Sequence, residues 1–261
     1  MEQERPLAIV TGASSGIGFE LARLAAEHGH DLVIAADRSL IFEVAEELRI
    51  LGVNVEAVET DLSTVEGNDQ LLAATHGRPV EMLCANAGHG LGRSFLEQPF
   101  EAIRHVIDTN VTGTLYLLHE VGRGMSARGS GRILITGSMA GFVPGAYQAT
   151  YTGTKAFIDS FSVALRAELE GSGVTVTSLV PGLTDTDFFR RADLLDTKAG
   201  AAAKQSADEV ARIGYAAMLQ GEAEVVTGWK NRLFSLMTGF VPTGLLAQQY
   251  WIRNTPDSAK P

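Results

Sequence analysis

The chain alternates between two hydrophobic periods. Short runs that are apolar at nearly every position, or at every second one, read as strands over 7–12, 31–36, 53–61, 81–88, 131–138, 174–182 and 224–228. Between them apolar residues recur at three- and four-residue spacing, which predicts helices over 15–28, 39–51, 63–75, 100–127 (with a break), 151–170 and 206–219. Ser39, Ser63 and Ser206 are read as the residues that open three of these helices, Ser206 with Asp208 and Glu209 in its first turn. Strands apolar on both faces belong to a parallel sheet covered on both sides, and right-handed crossovers wind such a sheet in two directions. The expected fold is therefore α/β, a doubly wound, Rossmann-type seven-stranded parallel sheet, in a single domain over 1–261.

Two stretches stand outside the alternation. Residues 183–205 are polar, Ala-rich and aperiodic, and follow the sixth strand, at the sheet edge where ligands bind in such folds. They are read as a substrate lid. Residues 233–252 carry no charge, but Gly239, Pro242 and Gly244 interrupt them and Gln248 and Gln249 are costly in hydrocarbon. Within a C-terminal extension over 229–261, they read as two short amphipathic elements covering a pocket or a subunit contact rather than a membrane.

Composition narrows the classes. The 261 residues are 45% hydrophobic, enough for a large core. A formal net charge of −10 argues against nucleic acid as a partner. One cysteine, Cys84, in an apolar run, permits no intrachain disulfide and reads as a buried bystander. The start MEQERPLAIV has neither basic nor long apolar leader character, so the expected location is cytoplasmic.

The chemistry begins at TGASSGIG, 11–18. Gly12, Gly16 and Gly18, between a strand and a helix, permit a tight turn whose backbone N–H groups approach a pyrophosphate at the helix N-terminus. Farther on, Tyr147, Tyr151 and Lys155 follow one another at intervals of four. A free phenol titrates near ~10, and a cation one helical turn away lowers that value. Tyr151 and Lys155 satisfy that spacing on one helix. Tyr147 lies just after Pro144-Gly145, before the helix, and is read as a wall of the substrate pocket.

TGASSGIG, the ANAG of 85–88, Asn110 in DTNVTG, Ser138 in ITGS, Tyr151-x-x-x-Lys155 and Pro181-Gly182, in that order, resemble the short-chain dehydrogenase/reductase family over about residues 7–228. The resemblance implies a nicotinamide cofactor, NAD or NADP, and interconversion of an alcohol with a ketone or aldehyde. It implies Tyr151 as general acid/base, with Lys155 lowering its pKa and holding the nicotinamide ribose. Ser138 would bond the substrate oxygen, and Asn110 would hold a proton-relaying water. Cofactor contacts are expected from Gly12, Ser14, Ser15, Gly16, Ile17, Gly18, Asp37, Arg38, Asp61, Leu62, Asn86, Ala87, Gly88, Tyr151, Lys155, Pro181, Gly182 and Thr184, and substrate contacts from Ser138, Tyr147, Tyr151 and Phe188. No metal is expected.

The sequence departs from both cofactor patterns of the family after strand two, where Asp37 suits a ribose hydroxyl and Arg38 a 2′-phosphate; Asp37 gives a slight lean to NAD. Phe142, Val143, Pro144, Leu183, Phe188 and Phe189 suggest an apolar substrate, and His89 reads as a solvated loop residue, with a substrate contact as the alternative. The helix after Lys155 has more apolar residues than one stripe needs, and family members commonly assemble through it. A homotetramer or homodimer is expected. The rival readings are an epimerase or dehydratase on the same fold, and a non-catalytic dinucleotide-binding regulator.

Overall fold

A computed structural model of the chain describes residues 4–259. The elements run β1 (Leu7–Thr11), α1 (Gly16–Glu27), β2 (Asp31–Ala36), α2 (Leu40–Arg49), β3 (Val55–Glu59), α3 (Val65–Ala73), β4 (Val80–Ala85), α4 (Phe100–Ile107) and α5 (Thr114–Arg128). There follow β5 (Gly131–Thr136), α6 (Ala149–Glu168), β6 (Val174–Val180), β7 (Thr184–Asp185), α7 (Phe188–Arg191), α8 (Lys198–Ala201), β8 (Gln205–Ser206), α9 (Ala207–Gln220), β9 (Glu224–Val226), α10 (Trp229–Thr238) and α11 (Thr243–Asn254).

Seven strands form one parallel sheet in the order β3-β2-β1-β4-β5-β6-β9. The order reverses between β1 and β4, and a crevice opens there at the carboxyl ends of the strands. Successive side chains of β1 enter opposite cores. Ala8 and Val10 pack with α1, α2 and α9 residues such as Leu21, Ile41 and Met218. Leu7 and Ile9 pack on the other face with Leu117, Met125 and Ile158. This is why the central strands read as continuous apolar runs.

Local chemistry moved several boundaries. Ser39 is itself in the helical region (φ −59°, ψ −18°) and its side chain caps nothing. Thr64, not Ser63, caps α3 by accepting from the Gly67 N–H at 2.9 Å, while the Ser63 N–H donates to Asp61. Ser206 does cap α9, accepting from the Glu209 N–H at 3.2 Å. The break expected in 100–127 is a π-helical segment over Asp108–Gly113, centred on Asn110. The aperiodic stretch 183–205 contains the β7–β8 pair, two one-turn helices and a small apolar cluster of Phe189, Ala192, Leu194 and Ala199. Among the described residues no helix is long and apolar enough to cross a membrane.

Candidate functional site

The crevice at the switch point is a cleft of about 850 Å³. Its floor is built from strand ends. Thr11 Oγ1 accepts from the N–H groups of Asn86 (3.0 Å) and Ala87 (2.9 Å). Asn86 Nδ2 donates to Thr11 O at 3.1 Å, and Thr136 Oγ1 donates to Asn86 Oδ1 at 3.1 Å. One asparagine thus ties the ends of β1, β4 and β5 together.

The glycine turn lies along this floor. Gly12 and Gly16 take left-handed backbone conformations, φ +66° and +59°, which glycine adopts without strain. A Cβ on Gly16 would stand 2.7 Å from Thr186 Cγ2, so the turn is also closely packed. Ser14, Ser15, Gly16 and Ile17 line the cleft where α1 begins, a geometry that suits a phosphate. Gly18 does not line it. A Cβ there would fall 2.2 Å from Gly12 O, so Gly18 permits close helix–strand packing and corrects the expectation of a cofactor contact. Asp61, Leu62, Asn86, Ala87, Gly88, Pro181, Gly182 and Thr184 all line the cleft.

Four residues from β5, α6 and the π segment meet beneath the far wall. Tyr151 is buried with its phenol beside the Ser138 hydroxyl and its ring centroid 4.9 Å from that of Phe188. Ser138 Oγ accepts from the Ala140 N–H at 3.1 Å, leaving its own proton to donate. Lys155 is buried, its Nζ 6.0 Å from the Tyr151 ring centroid and donating to Thr136 O at 2.7 Å.

The electrostatics differ from the sequence expectation. Burial pushes the Tyr151 phenol up to about 12, opposed by the bond from Ser138 and reinforced by the charge of Asp159. Lys155 is not what sets this value, because its ammonium points at Thr136 O and faces Asp159. Asp159, one turn beyond Lys155 on the same face of α6, is not among the residues the sequence motifs single out. It is buried, and its Oδ1 accepts from the Ser138 N–H at 3.3 Å while Oδ2 has no partner. Desolvation raises the Asp159 carboxyl and lowers the Lys155 ammonium, and their mutual attraction opposes both shifts.

Asn110 is buried and its side chain is committed. Nδ2 donates to His89 O (2.9 Å) and Thr154 Oγ1 (3.0 Å), and Oδ1 accepts from the His89 N–H (2.7 Å). The side-chain amide therefore pins the turn after β4. A Cβ on Gly88 would come 3.3 Å from Asn110 Oδ1 and 3.6 Å from Lys155 Nζ, so this turn presses against both groups.

A charged rim borders the opposite end. Asp37 accepts from Arg191 of α7 and lies 3.3 Å from His89 Nε2, and these bonds, His89 first, hold its carboxyl far below the usual range despite partial burial. Arg38 donates to Ser14 Oγ (3.2 Å), Ser15 Oγ (3.1 Å) and Asp187 (3.1 Å). His89 is thus not a solvated loop residue: its Nε2 faces Asp37 and its ring packs at a tilt of 53° against that of His105, 4.8 Å between centroids. Its partners come from the turn after β2, from α4 and from the segment after β6, which no local pattern could pair.

Val143, Leu183, Phe188 and Phe189 line the cleft as expected, and Phe234, Leu246 and Tyr250 from α10 and α11 join them. Phe142, Pro144 and Tyr147 do not. Tyr147 has φ +62°, just outside α6, and its ring lies 6.4 Å from that of Trp251. The left-handed backbone turns it to α11, where it packs instead of forming a pocket wall. Nearby, Gln148 Nε2 donates to the buried Asn254 Oδ1 at 2.8 Å, fastening the end of α11 to the start of α6. Cys84 is buried, its thiol pushed up to about 12. Among the described residues no His, Cys, Asp and Glu cluster could hold a metal.

The family model described as short chain dehydrogenase matches residues 6–194. An uncharacterized oxidoreductase of Myxococcus xanthus is 34% identical over 91% of this chain and 93% of its own length. A very-long-chain 3-oxoacyl-CoA reductase of Podospora anserina is 35% identical over 72% of this chain and 58% of its own. Among solved structures, a short-chain dehydrogenase from Sphingobium yanoikuyae in complex with NADPH superposes with a TM-score of 0.81 at 30% identity, covering 92% of this chain and 94% of that one.

Proposed function

The chain belongs to the short-chain dehydrogenase family, and from that premise we propose that it reduces an apolar ketone, or oxidises the matching alcohol, with Tyr151 as general acid/base. The observation that carries this is the convergence of a buried phenol, a serine hydroxyl and a buried ammonium in one cleft, whose other end is the glycine turn. The residues present fit a nicotinamide dinucleotide: the left-handed glycines and the start of α1 suit the pyrophosphate, and Asn86, Ala87, Gly88, Pro181, Gly182 and Thr184 continue the same wall. When bound, that group supplies or accepts the hydride.

The protein handles the proton. In reduction the Tyr151 phenol donates to the substrate oxygen, and the Ser138 hydroxyl donates a second hydrogen bond to it, stabilising the developing charge. Lys155 supplies positive charge near the phenol and is positioned to hold the ribose. Asn110 acts as a positioning residue, holding the turn beside Lys155. A proton-relaying water there would be held by the π-helical backbone, since both side-chain N–H groups are in use.

The rim favours a phosphorylated dinucleotide. Asp37, which suited a ribose hydroxyl, is engaged by His89 and Arg191. Arg38 is paired with Asp187 through Nη1, and its Nη2 is flanked by the Ser14 and Ser15 hydroxyls, a set suited to a 2′-phosphate that would displace the carboxylate. Residues 183–205 serve as a lid: Arg93 ties the segment down through Asp193 (2.6 Å) and Asp196 (2.8 Å). The aromatic lining suits a bulky apolar carbonyl, and 3-oxoacyl chains belong in the first substrate panel. Phe157 and Val163 on α6 remain exposed, which supports assembly of two or four copies through that helix.

The test is turnover of a ketone panel with each dinucleotide, followed by Tyr151→Phe. Net oxidation of the reduced dinucleotide separates this reading from an epimerase, a dehydratase or a non-catalytic regulator. No turnover with any carbonyl would remove it.

A further inference from the structure

The last two helices carry a feature that the cleft does not explain. Among the described residues, nine large apolar side chains exposed to solvent fall within 229–254. Trp229 is 74% exposed, Leu236 68%, and Phe240, in the turn between α10 and α11, 90%. No residue of α10 is buried, and only Leu246 and Asn254 of α11 are. Two of the nine, Trp229 and Phe234, also border the cleft, beside Leu246 and Tyr250; the other seven lie outside it. Soluble chains rarely leave a contiguous apolar surface of this kind without a partner.

Charge identifies the partner. Over 229–256 there is no acidic residue, while Lys230, Arg232 and Arg253 are cationic and exposed, Lys230 and Arg253 at the mouth of the cleft and Arg232 away from it; the whole chain carries −10. A second copy docking the same patch through a two-fold axis would bring like cations together with no carboxylate in the segment to balance them. An anionic lipid surface complements both properties, taking apolar side chains between its acyl chains and cations at its headgroups. Both tryptophans of the chain, Trp229 and Trp251, lie on this hairpin and are exposed, and indole rings favour that boundary.

We infer that the α10–α11 hairpin is a peripheral docking surface for anionic lipid bilayers, dipping Phe240 and Leu236 into the interface without spanning it. The inference does not depend on the catalytic reading, because the residues it tests, Leu236 and Phe240, lie outside the cleft, although Trp229, Lys230 and Arg253 stand at its mouth. Its consequence joins the two: the helices that meet the lipid also line the cleft, so an apolar substrate dissolved in the bilayer would enter beside them.

The experiment is flotation of the full chain with vesicles of phosphatidylcholine alone or mixed with phosphatidylglycerol, at low and high salt. Tryptophan emission is recorded in the same samples. Three cations predict binding to the anionic vesicles on the order of a hundredfold tighter than to the neutral ones at low salt. A blue shift of the tryptophan emission should accompany it. Phe240→Glu and Leu236→Glu alter exposed positions and should abolish flotation while leaving the thermal transition in place. No flotation with anionic vesicles overturns the inference. So does flotation unchanged in both variants, or a wild-type oligomer that either variant converts to a smaller species, which would assign the patch to a second copy. Because no step requires turnover, failure here is distinguishable from failure of the oxidoreductase reading.

Discussion

Replacing Tyr151 by Phe removes one oxygen from the cleft and leaves the ring. The ring contact with Phe188 at 4.9 Å and the burial of the side chain persist, so the loss to stability is one hydrogen bond from Ser138, about 1 kcal/mol or less. The loss to catalysis is larger. A positioned proton donor is worth about 10²–10⁴ in rate, or roughly 3–5 kcal/mol of barrier. Wild-type pH dependence follows from the phenol being pushed up to about 12. At pH 8 roughly one molecule in 10⁴ carries the phenolate, and that fraction rises about tenfold per pH unit. Reduction needs the phenol, so its rate should be insensitive to this group from about pH 6 to 9. Oxidation needs the phenolate, so kcat/KM should climb about tenfold per pH unit over the same range. The assay is dinucleotide absorbance in both directions across pH, with dinucleotide affinity from fluorescence titration. The Phe variant should bind dinucleotide as the wild type does and turn over at least about a hundredfold more slowly. Retention of more than about a tenth of turnover, or a wild-type oxidation rate flat in pH, would refute the assignment.

Other outcomes follow from the same geometry. Asp159→Asn removes a negative charge that raises the Tyr151 phenol, so the rise of the oxidation rate should move to lower pH while dinucleotide affinity holds; a profile that does not move excludes Asp159 from the proton chemistry. Arg38→Ala should lower kcat/KM for NADPH at least about tenfold and leave that for NADH nearly unchanged, as loss of a charge-assisted phosphate contact predicts. Gly18→Ala drives a Cβ to 2.2 Å from Gly12 O, a backbone atom, so the chain should lose about 1–3 kcal/mol and several degrees of melting temperature by calorimetry. The Asp37 carboxyl is depressed below its ordinary 3.8, so its contribution to stability is present above about pH 4 and lost as pH falls; Asp37→Asn should flatten that part of the acid unfolding curve.

The sequence by itself determined the sheet and much of the proposed reacting centre. Strands covered on both faces must be apolar throughout, so β1, β2 and β5 were legible from composition alone, and a glycine turn between strand and helix has few other uses. Tyr151 and Lys155 lie one turn apart on α6, and Ser138 follows β5 by two residues; these relations survive any detail of packing because each rests on a single element or its end. Asp159 was equally local and was missed because a carboxylate at helical spacing ordinarily faces water; only the packing of α6 against Gly137 and Gly141 buries it.

Tertiary structure decided what depends on contacts distant in sequence. His89 meets Asp37 and Arg191, 52 and 102 residues away along the chain, and their pairing occupies the Asp37 carboxylate. Tyr147 left the pocket because its positive φ directs it to Trp251, while Tyr250 entered it from α11. The pKa of Tyr151 was likewise beyond the sequence. Spacing fixes how near a cation can stand, but the desolvation that outweighs it belongs to the whole cleft. The C-terminal hairpin shows the same division: its sequence announced two amphipathic elements, and only the fold determined that most of their apolar surface faces outward.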